Sequence, residues 1–273
     1  ISRLIKKFVK HDYVIPTSSG TDAIIIALTT LGIKKNDYVV IPPNSFAATE
    51  NAIFAIGAKP ILFDTNDDYC LDIFSNKLNK KIKAAIFVDL YGKNSLNKKT
   101  YKFCKKNKIK IIQDSAQSFG LSDIGKFADA VCLSFNPYKN FAAGGKAGAV
   151  TFRKFSETKF AKRFYYHGFE IGKKDYKVLD YGLNMRMDNL QAAILYNKIQ
   201  FFGFNNFKRL IVAFEYSNFF KKNNLDYILN YPKINSDHTW HQYSLQVKDP
   251  IKLTKFLNKN YNINLGKMYK YLT

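Results

Sequence analysis

The sequence predicts an α/β fold: a mostly parallel central sheet with helices on both faces, followed by a smaller, incomplete α+β domain at the C-terminus. Three observations lead there. Short β-branched runs alternate with helical patterns through the first half, which implies parallel strands joined by right-handed crossovers. Several runs, such as Ala84-Ala85-Ile86-Phe87-Val88, are apolar without interruption, as suits strands covered on both faces. After Phe152 the texture changes to longer helical stretches with few strands.

The runs place strands at 13–16, 38–41, 60–64, 84–90, 109–114, 130–135 and 147–152. Helical patterns fill the gaps at 21–31, 47–56 and 97–106. The first of these opens on Thr17-Ser18-Ser19-Gly20-Thr21, a Ser/Thr-rich helix start, and the second follows the turn Pro42-Pro43-Asn44-Ser45-Phe46. Beyond 152, helices are expected at 157–165, at 189–202 from a Met187-Asp188-Asn189 start, and separately at 205–222. A strand at 244–247 and a helix at 251–260 complete the reading. It divides the chain into a large domain, 1–204, and part of a small one, 205–273, which stops where more strands would be needed, as a C-terminal fragment would. Gly and Pro mark turns, and there is no internal repeat or low-complexity segment.

Composition narrows the function classes. Hydrophobic residues are 47% and aromatics 16% of 273 residues, enough for a buried core, which excludes a disordered tail. The formal charge of +22 invites a nucleic-acid reading. The lysines, however, fall in scattered pairs, Lys80-Lys81, Lys98-Lys99, Lys105-Lys106 and Lys221-Lys222, with no block of five, zinc-finger spacing or RNA-recognition signature. Nucleic acid is therefore not the expected partner; attraction for small anions is. Cys70, Cys104 and Cys132 are odd in number and lack metal-type spacing, so no metal site is expected; Cys132 in an apolar strand and Cys104 on a helical pattern read as small buried residues, and a reducing cytoplasm fits. No apolar run reaches the ~18 residues of a membrane span.

Chemistry concentrates at strand ends, where open α/β sheets bind ligands. Asp114 closes one strand, Ser134 the next, and Lys139 lies in the loop beyond, in Ser134-Phe135-Asn136-Pro137-Tyr138-Lys139-Asn140. A carboxylate, a hydroxyl and an amine so placed are what pyridoxal 5'-phosphate needs: partners for its pyridinium nitrogen, phosphate and aldehyde. Each residue also has an ordinary reading. Asp114 could cap a turn, Gln117 be a surface amide, Phe46 core, and the 17–21 segment a plain helix cap. Most lysines are solvated; Lys139 differs in its neighbours Phe135, Pro137, Tyr138 and Phe141, because an amine in a partly apolar place loses its proton more readily. At the first helix start, Gly20 and Thr21 would offer backbone N–H groups to a phosphate.

Six segments in order carry a family resemblance. They are Ser18-Ser19-Gly20-Thr21-Asp22-Ala23; Ser45-Phe46-Ala47-Ala48-Thr49-Glu50-Asn51-Ala52 with Gly57-Ala58-Lys59-Pro60; Leu90-Tyr91-Gly92; Asp114-Ser115-Ala116-Gln117-Ser118; the Lys139 segment; and Gly182-Leu183-Asn184-Met185-Arg186-Met187 with Leu190-Gln191-Ala192-Ala193. From about Tyr13 to Tyr269 the chain resembles the DegT/StrS-type sugar aminotransferases, pyridoxal-phosphate enzymes of fold type I.

The resemblance implies roles. Lys139 would condense with the cofactor's aldehyde and then carry the proton between substrate and cofactor. Asp114 would hold the pyridinium, Gln117 the phenolic oxygen, and Phe46 would stack on the ring. Gly20, Thr21 and Ser134 would bind the phosphate. Asn184 would reach the phosphate of a neighbouring subunit, which implies a homodimer with shared active sites; Arg186 would touch ligand or buttress that loop. Trp240, His241 and Tyr243 read as structural. One departure is Gly145-Lys146-Ala147-Gly148, where relatives carry an acidic or glycine-rich segment; it would put a cation near the pocket mouth.

The implied reaction moves an amino group from glutamate to a keto group on a nucleotide-linked sugar, for amino-sugar or surface-polysaccharide biosynthesis. An aminocyclitol aminotransferase would share these residues. A sugar dehydratase of this fold would carry histidine in place of Lys139, and a non-catalytic basic binding protein would need no lysine there at all.

Overall fold

The computed structural model describes residues 1–78, 81–170, 177–223, 225–235 and 237–266. Lys80 of the first lysine pair and Tyr269 at the far end of the resemblance lie outside these residues. In chain order the elements are α1 (Ser2–Ile5) with a 3-10 turn at Lys6–Phe8, β1 (Tyr13–Thr17), α2 (Gly20–Thr30), β2 (Tyr38–Ile41), α3 (Ala47–Ala55), β3 (Lys59–Leu62) and β4 (Ile82–Val88). There follow α4 (Lys98–Lys106), β5 (Lys110–Asp114), β6 (Ala130–Ser134), β7 (Gly148–Phe152), α5 (Phe155–Phe164), α6 (Asn189–Asn223), β8 (Ile228–Asn230), β9 (Gln246–Val247) and α7 (Pro250–Tyr261).

Seven strands form one sheet in the order β1-β7-β6-β5-β4-β2-β3. From β6 through β3 all pairings are parallel, while β7 runs antiparallel to both β6 and β1. Two reversals cancel, so β1 points the same way as the parallel set. The carboxyl ends of β1, β2, β4, β5 and β6 therefore share one edge.

Alternation along the strands builds two cores. Val40, Ala85, Phe87, Ile111, Val131 and Leu133 face one side, under Cys104 of α4 and Leu195 and Phe202 of α6. Val39, Ala84, Ile86, Ile112, Ala130 and Cys132 face the other, under α2, α3 and α5. Helices cover both faces, which is why stretches such as 84–88 of β4 and 130–133 of β6 are apolar without alternation.

The chain departs from its sequence reading in particular places. The helices expected at 189–202 and 205–222 are one continuous 35-residue helix, α6. Gly203 lies within it with nothing near its Cβ position, and the ~1 kcal/mol cost of a helical glycine is small against a helix packed on the core. The strand expected at 84–90 ends at Val88, and a 3-10 turn at Leu90–Gly92 follows, with Tyr91 at φ 59°. In the C-terminal part β9 is shorter than expected and pairs with β8, a strand whose three residues give too short a pattern to read.

Candidate functional site

The phosphate-type motif is built by close backbone approach. Ser19 caps α2, its hydroxyl accepting from the Asp22 N–H at 3.0 Å, and its carbonyl accepts from the Ala23 N–H at 3.2 Å. The first N–H groups of a helix have no intrahelical acceptor, so those of Gly20 and Thr21 are the ones left to face a ligand. Both Ser18 and Ser19 hydroxyls donate to the Asp22 carboxylate. A Cβ on Gly20 would lie 2.8 Å from the Ser134 Cβ, so the α2 start rests directly against the end of β6. The register continues the row: Gly148 of β7 pairs with Thr17 on one side and Ser134 on the other. A Cβ there would meet the Ser19 carbonyl group at 2.5 Å, so Gly148 is required for the approach, a role its sequence did not announce.

Asp114 ends β5 and is buried, 6% exposed. Its carboxylate accepts from the Ala116 N–H at 3.2 Å and the Thr49 hydroxyl at 3.3 Å. Burial raises its pKa to about 6; the Ala116 N–H, the Lys139 ammonium and the Thr49 hydroxyl oppose the rise, and the Asp89 charge adds to it. Thr49 sits one helical turn beyond Phe46, the residue preceding α3, so the contact brings that end of α3 over Asp114. Phe46 itself is 62% exposed. Thr49 was missed by sequence reasoning; its spacing of three from Phe46 was the available signal.

Lys139 lies in a turn whose two anchors are buried phenylalanines. Phe135 and Phe141 pack edge to face at 5.6 Å, and both contact Phe119, which stacks on Phe141 at 4.8 Å. The turn is closed by Lys139 N–H to the Asn136 carbonyl, 2.9 Å, and the Ala143 N–H to the Phe135 carbonyl, 2.8 Å; the Asn140 amide donates to the Phe119 carbonyl, 2.8 Å. Burial pushes the Lys139 pKa below its ordinary value, while the Asp114 carboxylate pulls it up. Of the apolar neighbours expected around Lys139, Phe135 and Phe141 are buried, whereas Pro137 is exposed and Tyr138 is 88% exposed.

Gln117 is buried, and its Oε1 accepts from the Tyr91 N–H at 2.7 Å, which makes Nε2 the donating end of the amide. Its backbone carbonyl accepts from the Thr239 hydroxyl at 3.1 Å, and Thr239 N–H bonds the Gly92 carbonyl at 2.9 Å. The segment 237–242 is thereby laid along 91–94. Trp240 is buried and stacks on His238 at 4.1 Å, and Tyr243 shares a hydrogen bond with Ser217 at 2.8 Å. His241 feels Lys139: burial, then the Lys139 and Arg209 cations, lower its pKa to about 4, so it is neutral at neutral pH.

Asn184 and Arg186 lie beside the α2 start. Both are exposed, on a segment bridged to Tyr166 and to Thr17. Arg186 lies 3.6 Å over the Tyr166 ring, and the Ser18 N–H bonds the Met185 carbonyl at 2.8 Å, so the segment braces the α2 start. Lys146 is exposed. Among the described residues no group of three or more His, Cys, Asp and Glu could hold a metal ion, and no helix is long and apolar enough to cross a membrane. The three cysteines are free and buried.

Comparison with known proteins gives these features a family. One relative is the 3-oxo-glucose-6-phosphate:glutamate aminotransferase of Bacillus subtilis, 40% identical across 99% of this chain and 63% of the relative. Another is the UDP-2-acetamido-2-deoxy-3-oxo-D-glucuronate aminotransferase of Pseudomonas aeruginosa, 33% identical over 77% of this chain and 59% of the relative. A crystal structure of NtdA from Bacillus subtilis with bound cofactor PMP superposes with a TM-score of 0.95 at 39% identity, covering 99% of this chain and 63% of that one. The chain thus spans somewhat under two thirds of the length of these relatives. A family profile matches residues 2–272, and the chain belongs to the DegT/DnrJ/EryC1/StrS aminotransferase family.

Proposed function

We propose that this chain is the pyridoxal-phosphate-binding part of an aminotransferase that moves an amino group from glutamate to a keto sugar linked to a nucleotide. The observation that carries the reading is the gathering at one sheet edge of the buried Asp114 at the end of β5, Lys139 in the turn after β6, and the Gly20–Ser134 contact. The residues present fit the cofactor: a buried carboxylate stands at a strand end for a cationic ring nitrogen, and the start of α2 is packed so closely on Ser134 that a Cβ would fill the space. When bound, pyridoxal phosphate supplies an electron sink for the substrate's α-carbon.

The side chains then divide the work. Gly20 and Thr21 bind phosphate through N–H groups at the positive end of α2, and the Ser134 hydroxyl adds a further donor. Asp114 keeps the ring nitrogen protonated, Gln117 donates through Nε2 to the phenolic oxygen, and Phe46 covers the ring. Lys139, its ammonium disfavoured by burial, holds the aldehyde and later carries the proton. Asn184, exposed on its braced segment, reaches a phosphate across a homodimer interface. The same reading divides the chain at 204 and 205, inside α6, and assigns the protein to the cytoplasm and to amino-sugar or polysaccharide biosynthesis.

A second acceptor class is favoured by one observation: the relative at 40% identity is named for a hexose phosphate, with glutamate as its donor. Purified protein mixed with pyridoxal phosphate should gain a visible absorption band that borohydride abolishes, leaving the added mass on Lys139. Lys139→Ala should abolish that adduct, and labelling of another lysine would reassign the site. A panel of nucleotide-linked keto sugars, 3-oxo-glucose 6-phosphate and a keto-inositol, each with glutamate, then identifies the acceptor. No turnover with any of them would overturn the transferase reading and leave cofactor binding alone.

A further inference from the structure

The most heavily bonded side chain at the site edge belongs to a residue with no role in the reading above. Asp89 follows β4 and is fully buried. One carboxylate oxygen accepts from the Ser95 N–H at 2.9 Å and the Ser95 hydroxyl at 2.5 Å. The other accepts from Gln113 Nε2 at 2.9 Å and from the Ser115 and Ser118 hydroxyls at 2.8 and 2.7 Å. Its own N–H donates to the Asp114 carbonyl at 3.0 Å.

All five donors to the carboxylate are neutral. Burying a carboxyl group without a cation is unfavourable unless its lone pairs are met, and a neutral amide could take these contacts only by turning an NH2 group toward donors. The position of the contacts is informative. Ser115 and Ser118 flank Gln117, and the Tyr91 N–H that holds the Gln117 amide is two residues beyond Asp89. One anion thus fixes both the backbone on either side of Gln117 and the turn that orients its side chain. It also lies close enough to Asp114 to act on that carboxylate electrostatically.

We propose that Asp89 is a positioning residue for the cofactor: through Ser115 and Ser118 it holds Gln117 in register with the phenolic oxygen, and through its N–H bond to the Asp114 carbonyl it backs Asp114 at the ring-nitrogen end. The inference rests on the cofactor reading above. Burial raises the Asp89 pKa, against the pull of the Ser95, Ser118 and Ser115 donors.

The test uses the full chain and pyridoxal phosphate as the probe. Wild type, Asp89→Asn and Ser118→Ala are titrated for cofactor affinity by the visible band, whose pH midpoint is followed in each. Asp89→Asn should weaken binding roughly tenfold or more and move the midpoint by about half a pH unit or more. Ser118→Ala removes one of the five contacts and should weaken binding about threefold with a smaller movement, so it carries the test if Asp89→Asn does not fold. Affinities within twofold of wild type and unmoved midpoints in the folded variants would overturn the proposal, whatever happens to their melting temperatures. If wild type itself takes no borohydride-fixed adduct on Lys139, the cofactor reading and this inference fall together, and the failure is visible before any variant is made.

Discussion

At Asp114 the structure makes a prediction whose sign runs opposite to that of most carboxylates. Its folded pKa, about 6, lies above the ordinary aspartate value near 3.9, so the folded chain binds the proton more tightly than the unfolded one. This contribution to stability is complete below about pH 4, declines as pH rises toward 6 and then levels off; its size is on the order of 3 kcal/mol. Melting of the cofactor-free protein across this window should show the decline, and Asp114→Asn should flatten that part of the profile. Gly20 gives a second prediction at the same scale. Gly20→Ala drives a methyl group to 2.8 Å from the Ser134 Cβ, an overpacking cost of roughly 1–3 kcal/mol. Cofactor affinity should fall, and Ser134→Gly in the same chain should relieve the clash although it removes a hydroxyl. A double-mutant cycle on melting temperature reads that coupling directly, and additive effects would show that the two residues do not touch.

Among the elements, α6 shows what a local pattern can and cannot say. Gly203 divides the apolar pattern into two readable halves, yet the helix continues because Leu195 and Phe202 are held in the core beneath the sheet. With open space around it, Gly203→Ala should stabilise the protein by about 0.5–1 kcal/mol, measured as a raised melting temperature with unchanged cofactor affinity. The strands were legible because burial on both faces writes an unbroken apolar run such as 84–88 into the chain. Strand direction is not written in such a run, so the reversal of β7 and the edge position of β1 come only from the pairing. The site divides in the same way. Gly20, Asp114 and Ser134 could be singled out because a strand end or a helix start marks each of them, and Lys139 because it follows Ser134 in the loop. Thr49 and Asp89 could not, since their partners lie on other elements: Thr49 meets Asp114 across 65 residues, and Asp89 meets Ser118 across 29.

The chain carries +22 on 273 residues together with many exposed apolar side chains, and the two features would oppose each other in the proposed homodimer. Phe46, itself a proposed cofactor contact, is 62% exposed, Tyr138 next to Lys139 is 88% exposed, and Leu183 and Leu190 are exposed on either side of Asn184. A second copy would bury such groups and would also bring two strongly basic surfaces together. Salt should therefore tighten the dimer, because screening weakens the repulsion more than it affects apolar contact; sedimentation at low and moderate ionic strength measures the change. If Asn184 completes the neighbour's site, Lys139→Ala and Asn184→Ala damage different subunits' contributions to one centre. Separately each variant should turn over poorly. Mixed and allowed to exchange, half of the dimers are hybrids, and each hybrid contains one site with both residues intact. Activity should thus recover to about a quarter of the wild-type value per site, as the two-fold symmetry of a shared interface requires. Recovery that appears on mixing and vanishes when exchange is blocked by cross-linking each variant beforehand would place Asn184 across the interface. An absence of recovery in verified hybrids would confine it to its own subunit, where the brace it forms with Thr17 and Ser18 would be its whole role.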